Sequence, residues 1–350
     1  MSVDKPPILG TPPRQPPRPF LPPLSRKWLV LAGIFAGAVY GLIARYVFGL
    51  LDPTEKYFEV MSKAFILGVP FAIGFISAWF ADRYPKQNVL LNILGFIFTP
   101  VLASIAFIVC SVLVGWEGII CFILWLPFIV PISLVGAVSG FFCLKAITAK
   151  RNKTYCVAVV AFLPFAVSPL EQLRQPDAET RVVQTQIRIH AAPETVWKQI
   201  RSVPLISEQE QSYSFTHAIG FPRPLEATLV GEGVGAVRYA TFERGVLFVE
   251  TITEWDEPRR LSFSIRADTA HIPPRTFDEH VIIGGKYFDV LNRTYWIEDA
   301  RDDDVILHLS SEQRLSTRFN FYSHHWTEYL MADLQDYILR IIKTRCESAP

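Results

Sequence analysis

The sequence predicts two folds in series: an α-helical membrane bundle, then an α+β domain made of a long antiparallel sheet and one C-terminal helix. Three observations carry this. Between Trp28 and Leu173 the chain is apolar, interrupted only by short charged loops. From Arg181 the apolar residues recur at every second position, and from Ser323 to Arg345 they recur at spacings of three and four. These are the periods of a half-buried strand and of an amphipathic helix. A chain of 350 residues has room for both parts.

Residues 1–25 carry proline doublets such as Pro12-Pro13 and Pro16-Pro17. Such a stretch favours polyproline II and buries no core, so it reads as a disordered tail. Although Pro13 and Pro16 have PxxP spacing, a solvated tail is the simpler reading. It is not a signal peptide, because the apolar run that follows is too long and lacks a small-residue cleavage site.

The membrane region is 26–173. A bilayer core needs about 20 apolar helical residues, and 28–51, 64–81, 88–115 and 119–146 satisfy that length. The stretch 155–170 is shorter and holds Pro164 and Pro169; it either crosses the bilayer or lies in its interface. Basic residues collect before the first span (Arg26, Lys27), after the second (Arg83, Lys86) and after the fourth (Lys145, Lys150, Arg151, Lys153). These loops are expected on the cytoplasmic side of a bacterial-type inner membrane. A crossing fifth segment then places the C-terminal domain outside the cytoplasm, in the periplasm, which is the favoured arrangement; a segment that does not cross leaves the domain in the cytoplasm. Arg45 lies near the end of its span, where a long side chain is expected to snorkel to the headgroups. Gly33, Gly37 and Gly41 repeat at every fourth position, which allows close helix approach within the bundle or helix-mediated self-association of two copies.

Composition excludes one class of function. The formal net charge is +1 and no basic run is long, so no nucleic-acid partner is expected. Of the five cysteines only Cys346 lies in the second half; an internal disulfide there is excluded, and no zinc-type Cys/His spacing is present.

The second domain spans 177–346. Val183, Thr185, Ile187 and Ile189 alternate with polar residues in a first strand. Pro193 and Glu194 then suit a first helical turn, and Val196, Trp197 and Ile200 form that helix's buried stripe. A second short helix is expected near Leu205. Strands follow at 225–230, 236–243, 246–255 and 261–267, then at 279–283, 286–298 and 305–313, with turns at 231–235, Arg244-Gly245 and Asp302-Asp303-Asp304. In the last helix Trp326, Leu330, Leu334, Tyr337 and Ile341 share one face. Acidic residues on the others argue for packing on the sheet rather than on a membrane surface.

The order strand, two short helices, long sheet, long helix resembles the helix-grip fold of the START and polyketide-cyclase (SRPBCC) superfamily. The stretch Ile187-Arg188-Ile189-His190-Ala191-Ala192-Pro193-Glu194-Thr195-Val196-Trp197 is similar to that superfamily's opening, and Gly231-Glu232-Gly233-Val234-Gly235 to its turn between early strands. The resemblance covers about 180–346 and none of the membrane half. It implies an apolar cavity between sheet and helix, and hence a lipid-like or other apolar small-molecule ligand, with membrane lipids as the surrounding partners.

The expected ligand-binding residues are Phe242, Phe248, Glu250, Phe263, Tyr287, Tyr295, Arg318, Trp326 and Leu330. Glu250 shares the apolar phase of its strand, so it either lines the cavity or pairs with Arg238 or Arg266. Arg318 is expected at the cavity mouth, facing a ligand head group. His280, with Glu279 and Asp278, is a candidate base, but a structural role is the simpler reading, as it is for His271, His308, His324 and His325. No catalytic residue, metal or cofactor is predicted. Two alternatives stay open: a cyclase- or hydrolase-type enzyme acting on an apolar substrate, and a structural or sensory membrane protein with a filled core.

Overall fold

The computed structural model describes residues 25–49, 60–85, 88–268, 283–301 and 304–348. The proline-rich tail through 24, the loop 52–59, the strand expected from Glu279 (to 282), His271, His280 and the turn residues Asp302-Asp303 lie outside the described residues.

Five helical segments long and apolar enough to cross a membrane come first: α1 (Arg26–Gly49), the segment Ala64–Ala81 that ends in α2 (Val69–Ala81), α3 (Val89–Val114), α4 (Ile119–Ala146) and α5 (Lys150–Glu171). A π-helical turn, Ala64–Gly68, leads into α2. The fifth helix begins at Lys150 rather than Tyr155 and has 22 residues, about 33 Å of helix. Its Pro164 and Pro169 are internal, tolerated because neighbouring helices re-satisfy the backbone that proline disturbs.

Side-chain size sets how the bundle closes. Added Cβ atoms would meet Thr99 at Gly33, Ala103 at Gly37 and Phe107 at Gly41, so the glycine stripe of α1 seats α3 of the same chain. An even closer crossing joins α2 to α4. A Cβ on Gly74 would stand 1.7 Å from the Ser133 carbonyl oxygen, and one on Gly136 would stand 2.0 Å from that of Phe71. Gly136 and Gly140 repeat at the four-residue spacing in the sequence, whereas Gly74 has no such partner.

Arg45 does not snorkel. It is buried, its Nε donates to Glu117 Oε1, and its Nη2 donates to the Trp116 carbonyl at 2.8 Å. Glu117 is buried as well, and a carboxylate taken out of water requires a cation beside it. The pair ties the end of α1 to the turn between α3 and α4. At the other end of the bundle, Arg26 Nε donates to Asn92 Oδ1 at 2.8 Å and Lys153 Nζ to Asp82 Oδ2 at 2.7 Å.

The second half folds as β1 (Glu179–Ile189), α6 (Pro193–Arg201), α7 (Phe215–Ala218), β2 (Pro224–Val230), β3 (Val237–Phe242), β4 (Leu247–Asp256), β5 (Arg260–Asp268), β6 (Phe288–Asp299), β7 (Val305–Leu315) and α8 (Asn320–Glu347). The strands form one antiparallel sheet in the order β1-β7-β6-β5-β4-β3-β2. The helix expected near Leu205 is a 3-10 turn at Glu208–Glu210 followed by the single turn of α7. Gly233 and Gly235, with φ of +80° and +91°, make the β2–β3 turn that side-chain-bearing residues disfavour. The sheet curls on α8, whose Leu339, Ile342 and Cys346 meet Trp197, Leu261 and Leu307. This is the helix-grip architecture, preceded by a helical bundle.

The domain sits on the bundle end that holds Arg45 and Glu117. Helix α4 has 28 residues, about 42 Å against roughly 30 Å of hydrocarbon, which leaves surplus turns for docking. The Tyr322 hydroxyl donates to the Leu124 carbonyl at 2.5 Å, and its ring lies 4.4 Å from that of Phe128. On the other side, Arg318 donates to the Glu171 and Arg174 carbonyls, and Glu171 accepts from the backbone N–H groups of Lys63 and Ala64.

Candidate functional site

The grip between sheet and α8 is filled at one end and open at the other. Away from the bundle, Trp197, Ile252, Leu261, Phe263, Tyr295 and Leu307 are each at most 1% exposed. Towards the bundle, α8 presents Ser323, Thr327, Leu330 and Leu334 to a cavity of about 120 Å³. Its other walls are Tyr287, Leu315 and Phe319 from the sheet side, Thr216 and Phe221 from the α7 region, and Met61, Cys121, Leu124 and Trp125 from the bundle. The membrane helices therefore supply a wall of the cavity as well as a support.

A second space of about 50 Å³ lies deeper in the domain, against Phe242, Phe248, Val246, Val290 and Arg293. Phe221, Ile283, Met331 and Leu334 border both spaces, so thin side-chain partitions separate them. Met331, unbranched and with several rotatable bonds, is the kind of residue that moves aside at low cost.

Local hydrogen bonds hold these walls. Asp333 of α8 accepts from Ser214 Oγ at 2.5 Å and from the Thr216 N–H at 2.8 Å. Burial alone would raise its pKa, but these bonds from Ser214 and Thr216 outweigh it and bring the carboxyl below its ordinary value. His217 Nδ1 lies 3.2 Å from the Phe221 carbonyl, and its ring meets Tyr337 edge-on at 4.7 Å. Burial pushes the imidazole down and the Tyr337 phenol up, so both are neutral at pH 7 and α7 is fixed to α8 without charge.

A belt of polar side chains crosses the concave face between the filled core and the cavities. Arg238 and Glu250, cross-strand partners on β3 and β4, form a salt bridge with side chains 5% and 1% exposed. The Arg238 guanidinium also lies 5.2 Å from the Phe263 ring. Gln335 of α8 donates to Val183 O and Ser311 Oγ and accepts from Thr185. Arg293 Nε donates to Ser311 Oγ at 3.2 Å.

Of the residues expected to bind ligand, Tyr287, Trp326 and Leu330 line the larger cavity, and Phe242 and Phe248 line the smaller one, their rings edge-on at 4.9 Å. The other four lie elsewhere. Phe263 and Tyr295 fill the packed core, because their strands reach the closed end of the grip. Glu250 is engaged by Arg238 beside it. Arg318 lines a polar cleft at the joint between domain and bundle rather than the apolar cavity; the carbonyls ending α5 take its hydrogen bonds. His324 Nδ1 lies 2.7 Å from the Asn320 carbonyl, and His308 stacks on Trp296. Among the described residues no cluster of three His, Cys, Asp or Glu side chains has metal-binding geometry.

Sequence reasoning missed the four bundle residues, and no local signal marks them, since they are apolar positions in apolar segments. It also missed Arg293 and Gln313, for which a signal exists. Arg293 shares the phase of Tyr295 and Ile297, and Gln313 that of Leu307, Leu309 and Leu315. A polar residue in the buried phase of a strand is the anomaly to look for.

No family model and no curated protein matches the chain. Among solved structures, a truncated norcoclaurine synthase from Thalictrum flavum is similar at 15% identity, covering 48% of this chain and 97% of that one, with a TM-score of 0.29. A START superfamily protein from Mycobacterium smegmatis is similar at 9% identity, covering 47% of this chain and 97% of that one, with a TM-score of 0.31. A second protein from that organism, Ms6760, is similar at 14% identity over 51% of this chain and 99% of that one, with a TM-score of 0.30.

Proposed function

We propose that this chain binds an apolar, lipid-like molecule at the joint between its membrane bundle and its helix-grip domain. One observation carries the reading: the larger cavity has an almost wholly apolar lining contributed by both halves of the chain. Apolar space takes apolar guests; a cavity of about 150 Å³ accepts benzene. At about 120 Å³ the space suits a ring or a short length of acyl chain, part of a lipid rather than the whole of one.

The topology supports an orientation. Five antiparallel crossings put the N-terminus and the helix-grip domain on opposite sides, and Arg26, Lys27, Arg83, Lys150, Arg151 and Lys153 all belong to the end away from the domain. By the bias of basic loops towards the cytoplasm, the domain stands outside it, over the outer leaflet.

The test is lipid extraction and mass spectrometry on the full chain, purified in detergent and exchanged into nanodiscs of defined lipid. Wild type is expected to carry one defined apolar species at near-equal stoichiometry. Thr327→Phe, which puts a ring into the cavity, is expected to lose it while keeping its circular dichroism spectrum. A wild type and a Thr327→Phe variant carrying the same lipids would remove the reading.

A further inference from the structure

The smaller space ends on the one feature an apolar cavity does not need, a cation with no counter-ion among the described residues. Arg293 lines it, and among the described residues its guanidinium donates to a hydroxyl group, from Nε to Ser311 Oγ. Among the described residues no carboxylate lies within salt-bridge distance of Arg293, and the nearby buried carboxylate, Glu250, is engaged by Arg238. The cation therefore retains N–H donors with no ionic partner among the described residues.

Gln313 supplies an independent observation. It is 0% exposed, yet neither its amide oxygen nor its amide nitrogen has a hydrogen-bond partner. Buried polar groups are nearly always paired, and an unpaired one calls for a missing partner. By register Gln313 stands opposite Val290, a wall of the smaller space, while Ser311, its neighbour on the same face of β7, stands opposite Arg293. Arg293 and Gln313 are therefore diagonal neighbours on the concave face.

We infer that the site takes an apolar carboxylate, a fatty-acid-like molecule, with its head group on Arg293 and Gln313 and its chain running through the larger cavity towards the bundle. This rests on the cavity reading above and names its ligand class. A carboxylate accepts parallel N–H bonds from a guanidinium, and such charge-assisted bonds are about twice as strong as neutral ones. The small volume of the inner space favours a carboxylate over a bulkier phosphate. The polarity also runs the right way: an outer-leaflet amphiphile has its chain in the membrane and its head towards the domain, so it enters this cavity without turning over.

The experiment is isothermal titration calorimetry of the full chain in phosphatidylcholine nanodiscs with octanoate and octan-1-ol, subtracting empty discs. Octanoate is expected to bind about tenfold or more tightly than the alcohol, the size of a charge-assisted hydrogen bond. Arg293→Met is expected to equalise the two, and Arg293→Lys, which keeps the cation, to retain the preference. Gln313→Leu is expected to weaken octanoate several-fold while leaving the protein at least as stable, and it serves if Arg293→Met does not fold. Equal affinities in wild type, or a preference that survives Arg293→Met, overturn the inference and leave the cavity reading standing. Binding of neither probe overturns both.

Discussion

The two ends of the grip are made from the same sheet and the same helix, yet one is solid and the other hollow. At the far end, Leu339 and Ile342 of α8 meet Trp197, Leu261 and Leu307 with no space between them. At the near end the helix carries Ser323 and Thr327, and the opposing wall belongs to another part of the chain, Leu124 and Trp125 of α4. The helix-grip topology thus permits a cavity without creating one. Small residues on α8 open the space, and the bundle closes it. The difference teaches that the cavity is a property of the joint, and that a helix-grip domain cut away from its bundle would lose one of the cavity's walls.

The largest test of this contrast lies at the polar belt dividing the two ends. Arg238→Ala leaves the Glu250 carboxylate buried without its cation and is expected to cost about 3–5 kcal/mol. The double variant Arg238→Met/Glu250→Met, which leaves no charge uncompensated, should recover most of that loss. Denaturant titration followed by circular dichroism checks both, and equal losses would mean that the belt is not the closed boundary described here.

Truncations on either side should differ next. Leu261→Ala at the solid end opens a new void and is expected to cost about 2–5 kcal/mol. Leu330→Ala borders space that is already empty and loses fewer contacts, so roughly 1–2 kcal/mol is expected. Similar losses would contradict the difference in packing.

The smallest effect sharpens the comparison by pH. Beyond the solid end, Arg345 donates to Glu210 and to the carbonyls of Pro204 and Leu205. The bond from Arg345 holds the Glu210 carboxyl near a pKa of about 2, below its ordinary 4.5. A depressed pKa means stability that is fully present above about pH 4.5 and lost as pH falls through 2. Arg345→Met is therefore expected to be less stable than wild type by about 1 kcal/mol above pH 4.5, with the gap closing towards pH 2. The joint with the bundle is fastened through Arg318 to the Glu171 and Arg174 carbonyls and, at 4.0 Å, to the Glu171 carboxylate. A gap that did not depend on pH would separate Glu210 from this role.

Much of the fold was legible because periodicity is local. The 119–146 span matches its helix end to end, the strands fall within a few residues of their expected positions, and the Arg244-Gly245 turn is present, with Arg244 at φ +57°. The fifth helix outruns its apolar stretch because its first residues, Lys150-Arg151-Asn152-Lys153, are polar and carry no hydrophobic signal. Arg45 was misread because its partner, Glu117, is 72 positions away, and nothing in either segment points to the other. For the site, aromatic residues of the right phase pointed to Phe242, Phe248 and Tyr287 but equally to Phe263 and Tyr295. Phase names a face of a strand and not the distance along it.

The sequence by itself determined the two-part architecture, apolar helices followed by a sheet and a gripping helix, since burial at periods of 3.6 and two is written residue by residue. It also determined that any cavity in the second half would be rich in aromatic walls. Only the tertiary structure decided where that cavity lies, that α4 and the residues before α2 close it, and that Arg293 stands at its inner end beside Gln313. Those are facts of juxtaposition between segments far apart in the chain. They are set by how strands curl on α8 and how α4 outlasts the bilayer, and no local pattern of residues encodes them.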